Sequence, residues 1–149
     1  MVSLVMKTPT LRSAKKKAWA EFSAYIRRRD CLKTTGTLDE GICITCGNKI
    51  PFKGSNAGHF ISSRCNSVLF DEELTNLQCY SCNVGLMGNY VPYTLTMINR
   101  HGVEWVEEKQ RLKHKILKRT INDYQTLEAI YKQKFINLKT EHVNNNPKH

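Results

Sequence analysis

Two C-x-x-C pairs constrain this chain more than any other feature: Cys43-Ile-Thr-Cys46, followed by Gly47, and Cys79-Tyr-Ser-Cys82, followed by Asn83. Each pair aims two thiolates at one point. Two pairs about a hairpin apart offer four soft ligands to one tetrahedral ion, and Zn²⁺ suits that set. One structural zinc per chain is therefore expected. With four thiolates the ion has no open position for chemistry. The segment between the pairs has few large apolar residues, so the metal substitutes for core and its binding is coupled to folding. A redox C-x-x-C needs only one pair, opening a helix beside a strand. The paired spacing also argues against a secreted disulfide scaffold, although the chain holds 6 cysteines. Cys31 and Cys65 belong to neither pair and are expected to be reduced, inert thiols.

A chain of 149 residues is long enough for one core with a helical extension. No apolar run spans a bilayer. The opening stretch from Met1 to Met6 is too short for a signal sequence and lacks a basic flank, so a cytoplasmic location and no membrane partner are expected. Lys and Arg number 23 against 13 Asp and Glu, a net charge of +10. An excess of that size favours polyanions, because each neutralised phosphate releases condensed counterions.

Hydrophobic periodicity divides the chain into five parts. Residues 1–10 read as a flexible arm, and 11–41 as a basic helix with a following loop. In that helix Leu11, Ala14, Ala18, Phe22 and Tyr25 form the apolar stripe, which Trp19 and Ile26 widen, and the helix is expected to end at Asp30. Residues 42–89 carry the metal pairs and fit a short hairpin followed by a short helix. Residues 90–140 read as helical: Asn89 is placed to cap one helix, Glu104 to Leu117 forms a second, and Thr120-Ile-Asn-Asp123 resembles a capping box that opens a third. Residues 141–149 read as a polar, frayed tail.

The chemistry-bearing residues lie among the cysteines. His59 follows Asn56-Ala-Gly between the pairs, Asn76 precedes the second pair, and Asn83 follows it directly. Phosphodiester hydrolysis needs a base that works near neutral pH, which imidazole supplies, and a hard divalent ion to stabilise charge on the phosphate and leaving oxygen. In that scheme Asn76 orients the imidazole, and Asn83, held rigidly beside a zinc ligand, offers its amide oxygen to Mg²⁺ or Mn²⁺.

The order His59, Asn76, Asn83, interleaved with two cysteine knuckles, resembles the HNH (ββα-metal) nucleases. The resemblance narrows through Ala57-Gly-His59-Phe-Ile-Ser-Ser-Arg64, Phe70-Asp-Glu72 and Gln78-Cys-Tyr-Ser-Cys-Asn83. These are similar to the NinG/Rap family of phage recombination endonucleases, over roughly Lys15 to Lys139. The resemblance implies an α+β fold: a small zinc-stapled ββα-metal (HNH) core flanked by an N-terminal basic helix and C-terminal helices. It also implies hydrolase activity on branched recombination intermediates such as Holliday junctions and D-loops. The chain departs from related patterns at two places. Gly58 stands where many zinc-knuckle HNH enzymes carry a metal-binding Asp, so Asp71 or Glu72 becomes the expected second ligand of the catalytic metal. Val84 and Leu86 stand where the NinG-like pattern tends to have arginines.

Arg12, Lys15, Lys16, Lys17, Arg27, Arg28, Arg29 and Arg64 are the expected DNA contacts. Three other readings fit the same residues: an HNH nickase or restriction-type nuclease on ordinary duplex, a non-catalytic zinc-knuckle DNA-binding protein, and a zinc-bound adaptor for another protein. Symmetric cutting of a junction makes a homodimer an expectation. The stripe from Tyr124 to Leu138 is either its interface or a cover for the chain's own core.

Overall fold

Thr10 starts the first helix. Its hydroxyl accepts from the Ser13 amide while Ser13 Oγ accepts from the Thr10 amide, so two orphan donors are satisfied reciprocally. The computed structural model describes residues 6–62 and 65–147; Arg64, one of the expected DNA contacts, lies outside them. Helix α1 runs Leu11–Thr35, one turn past the expected end at Asp30. Thr34 and Thr35 donate their hydroxyls back to the Asp30 and Cys31 carbonyls, and Gly36, at φ +73°, closes the turn in the left-handed region.

Four short strands follow, β1 (Glu40–Ile42), β2 (Lys49–Pro51), β3 (Asn56–His59) and β4 (Thr75–Gln78). They pair as two antiparallel ribbons, β1 with β2 and β3 with β4. The first ribbon brackets the Cys43–Cys46 knuckle. In the second, Gly58 lies opposite Asn76 and His59 opposite Thr75. A five-residue π-helical turn, Ser81–Gly85, carries the second knuckle into α2 (Tyr90–His101). The architecture is α+β, as the pattern implies.

Helix α3 covers Val103–Arg111 and tightens into a single 3₁₀ turn, Leu112–His114. The expected helix to Leu117 therefore stops early. Arg111 and Lys115 would be like-charged neighbours one turn apart, and the Leu112 carbonyl accepts from Ser67 Oγ (2.8 Å). Helix α4 spans Ile121–Asn145, opened by the Thr120–Asp123 capping box. It continues well into the expected frayed tail, where Asn146 closes it on the His142 carbonyl.

Two apolar clusters flank the β3–β4 ribbon. In the first, Ala18, Phe22 and Ile26 of α1 meet Tyr124 and Tyr131 of α4, with Ala57, Leu69 and Phe70. The second gathers Phe60, Ile61, Val68 and Leu74 around Tyr93, Met97 and Val106. The stripe from Tyr124 therefore covers the chain's own core, packing α4 on α1. His59 is the last residue of β3 and Phe60 begins the second cluster, so the histidine stands at the seam between them.

Candidate metal centre and cationic cleft

The sulfur atoms of Cys43, Cys46, Cys79 and Cys82 all lie within 4.8 Å of one another. A tetrahedral zinc with Zn–S bonds near 2.3 Å requires S···S edges of about 3.8 Å, and Cys46 and Cys79 stand 3.9 Å apart. Donors converge on the sulfurs: the Cys79 amide on Cys43 Sγ (3.3 Å), the Cys82 amide on Cys79 Sγ (3.4 Å) and Asn89 Nδ2 on Cys82 Sγ (3.4 Å). Burial alone would raise the Cys43 thiol, but the amides of Cys46 and Cys79 and the Thr45 hydroxyl outweigh it and lower it, whereas burial and the neighbouring sulfurs raise the thiols of Cys46 and Cys79. The four cysteines are thus positioned to bind a metal ion, consistent with structural zinc. Asn89, expected to cap α2 with its side chain, instead gives that side chain to the metal centre from a left-handed backbone (φ +48°). Cys31 is buried apart, and desolvation pushes its thiol up to about 11, as an inert thiol requires.

Beside the metal centre lies a cleft of about 520 Å³. His59 and Asn83 line it from β3 and the π-helical turn, and α1 contributes Arg12, Lys15, Lys16 and Trp19. A smaller opening of about 250 Å³ continues from the same two residues to Met87, Gly88 and Tyr90. The His59 imidazole is held on two sides. Trp19 stacks on it at 4.8 Å between centroids, and its Nε2 lies 3.0 Å from the Leu69 carbonyl. A carbonyl only accepts, so Nε2 carries the proton and Nδ1 keeps a lone pair. Burial lowers the His59 pKa, and the Leu69 bond opposes that shift without cancelling it. The ring is neutral at neutral pH.

Asn76 has a different partner from the one expected. Its amide donates to the Tyr93 hydroxyl (3.0 Å), which donates in turn to the Gly58 carbonyl (2.9 Å). Asn76 therefore fixes the backbone just before His59, and the orienting bond to the imidazole comes from Leu69. Gly58 has no room for the aspartate found in related patterns, because a Cβ there would stand 1.8 Å from Gln78 Oε1.

Asp71 and Glu72, the expected second ligands, are placed away from the His59 cleft. Asp71 Oδ1 accepts from the amides of Glu73 and Leu74, closing a turn. Glu72 accepts from the Tyr25 and Tyr131 hydroxyls and is ion-paired with Lys134, which ties the loop to α1 and α4. Burial would raise its carboxyl, but Lys134 and Tyr131 hold it below the usual range. Among the described residues, neither lines the His59 cleft.

The basic residues of α1 also divide. Arg12, Lys15 and Lys16 reach the cleft, whereas Lys17 is exposed beyond its lining. Arg27, Arg28 and Arg29, also expected as DNA contacts, lie outside the cleft lining and are half-buried with their guanidinium groups engaged in the fold. Arg27 donates to the Phe52 carbonyl and Arg28 to that of Leu38, both stacked over the Phe52 ring. Arg29 joins Asp30 to the carbonyls of Glu72 and Thr75. Trp19 and Tyr93 are partners of the site that no motif announces, since each also fits an apolar helix stripe.

The fold and site define an α+β protein in which four cysteines positioned to bind a metal ion stand beside a cationic cleft holding a histidine and an asparagine. The chain belongs to the NinG family: the family described as Bacteriophage Lambda NinG protein matches residues 6–141. It is similar to "Protein ninG" of Escherichia phage 933W, 33% identical over 125 residues, which is 83% of this chain and 57% of that protein. It is likewise 32% identical to the ninG proteins of Salmonella phage P22 and Escherichia phage lambda, over 83% of this chain and 57% and 56% of theirs. The chain thus spans little more than half the length of the relatives it matches. No solved structure matches it significantly. Among the described residues no helix is long and apolar enough to cross a membrane.

Proposed function

We propose that this protein is a metal-dependent DNA endonuclease of the HNH (ββα-metal) type that hydrolyses phosphodiester bonds in branched recombination intermediates such as Holliday junctions and D-loops. The observation that carries the reading is that His59 and Asn83 line one cleft rimmed by Arg12, Lys15 and Lys16. The cations hold the phosphate backbone over the imidazole. Nδ1 of His59 takes a proton from water as the water oxygen attacks phosphorus and the P–O bond to the leaving oxygen breaks. Burial under Trp19 favours the neutral ring, and the Leu69 carbonyl holds it in the required tautomer. Asn83 is the side chain placed to offer oxygen to Mg²⁺ or Mn²⁺. With no carboxylate among the described lining residues, the donors suit an ion held largely through phosphate and water. When bound, such an ion stabilises charge on the phosphate and the leaving oxygen.

The preference for branched DNA rests on the family resemblance. A homodimer remains part of the proposal, on surfaces other than the buried stripe of α4. The test is Mg²⁺-dependent cleavage of a four-way junction beside linear duplex. His59→Ala is expected to lose cleavage by roughly two orders of magnitude or more, while DNA affinity stays near wild type. Wild-type cleavage by His59→Ala would remove His59 as the base, and wild-type protein that cleaves neither substrate would leave a zinc-knuckle DNA-binding protein as the reading. Equal cleavage of both substrates would favour a nuclease acting on ordinary duplex.

A further inference from the structure

Between α3 and α4 the chain reads Arg111-Leu-Lys-His-Lys-Ile-Leu-Lys-Arg119, with five Lys and Arg and no acidic residue. After the 3₁₀ turn, residues 115–120 adopt no regular structure. Lys113, Lys115 and Lys118 are exposed, and the Ile116 side chain between them is 90% exposed, so this strap stands off the core. None of these lysines enters an ion pair among the described residues, unlike Lys109 and Lys134 on the neighbouring helices.

Both ends of the strap are nevertheless fixed to one loop. Ser67 Oγ donates to the Leu112 carbonyl (2.8 Å), and Arg119 donates to the Asn66 carbonyl (2.6 Å) while lying over the Phe70 ring. Asn66 Oδ1 also accepts from Lys15 Nζ (2.8 Å), and Lys15 lines the His59 cleft. A single residue, Asn66, therefore joins the strap to the cationic rim of the cleft.

We propose that residues 112–119 form a second nucleic-acid contact, a cationic strap that takes the phosphate backbone of a duplex arm leaving the His59 cleft. An extended run of five residues reaches about 16 Å, the length of four to five base-pair steps. Lys115 and Lys118 on such a run, with Lys113 on the turn that leads into it, suit a line of phosphates better than a compact acidic ligand. The proposal rests on the reading of the cleft as a DNA site.

The experiment measures affinity of the full chain for a 30-base-pair duplex and for a four-way junction, without divalent ions, across a salt series. The Lys113→Ala/Lys115→Ala/Lys118→Ala variant is expected to lower the slope of log affinity against log salt by about 2–3, at ~0.9 per lost contact. Replacing the same three lysines with Arg should keep the slope, and Lys33→Ala/Lys132→Ala/Lys139→Ala should leave it unchanged. An unchanged slope in the strap variant, or an equal fall in the control, overturns the strap. If the strap variant fails to fold, acetylation of the wild-type protein decides instead: DNA must shield Lys113, Lys115 and Lys118 more than Lys132 and Lys139. A strap-dependent slope without any Mg²⁺-dependent cleavage would defeat the nuclease reading alone. Cleavage with a strap-independent slope would defeat the strap alone, and wild-type protein that binds no DNA would defeat both.

Discussion

The Trp19 indole lies stacked on the His59 imidazole, ring centroids 4.8 Å apart and planes 25° from parallel. The stack explains how a histidine at the end of a short strand stays dry enough to have its pKa lowered. Trp19→Ala should readmit water and return the His59 pKa toward about 6.5, with Trp19→Phe intermediate. The acid limb of the cleavage profile should move up with it. In the wild type the unfolded chain binds the proton more readily, so His59 makes stability fall as pH drops below about 6.5; Trp19→Ala should flatten that dependence. An NMR titration of the His59 ring checks the shift without relying on activity, and an unchanged midpoint would remove Trp19 from the site.

The metal centre should govern folding of the knuckle segment. Protein purified without added metal should carry about one zinc per chain. A strong chelator, or Cys82→Ser, should abolish protection of β3 and β4 amides in hydrogen exchange while α1 and α4 retain part of theirs. Cys31→Ser and Cys65→Ser should leave zinc content unchanged. Elemental analysis finding no zinc, or a disulfide within a C-x-x-C pair, would refute the assignment.

Tyr93→Phe isolates the buried relay from Asn76 to Gly58. The substitution keeps the ring in its cluster and strands two polar groups, at a cost of about 1–3 kcal/mol. Thermal denaturation should register this as a clear fall in Tm, and cleavage should fall with it because the relay fixes the backbone at His59. Asn76→Ala in the Tyr93→Phe background should cost less than in the wild type, since the bond is already lost.

Glu72→Gln separates a structural clamp from a metal ligand. Losing the ion pair with Lys134 and weakening the bonds from Tyr25 and Tyr131 should cost about 1–2 kcal/mol, while the Mg²⁺ concentration for half-maximal cleavage stays the same. Because its carboxyl is held low, Glu72 stabilises the fold above the ordinary carboxylate pKa, and that contribution disappears as pH falls through its folded value. A changed Mg²⁺ requirement with unchanged Tm would restore Glu72 as a ligand.

Features that rest on local spacing were legible along the chain. Each C-x-x-C pair brings two thiolates together because the knuckle turn is a property of a few residues, and the capping box at Thr120 and the stripe of α1 are equally local. His59 and Asn83 could be named from their order along the chain. Which charges face the cleft and which are engaged in the fold depends on long-range packing. Arg27, Arg28 and Arg29 look no different in sequence from Lys15 and Lys16, yet they donate to carbonyls of loops beyond the helix, at Phe52, Leu38, Glu72 and Thr75. The fate of Glu72 was settled in the same way, by hydroxyls and an ammonium from α1 and α4. Partners far apart in the chain leave no period or motif to read. A buried or half-buried polar group takes whichever partner the packing brings within reach, because leaving it unpaired costs more than most single contacts contribute.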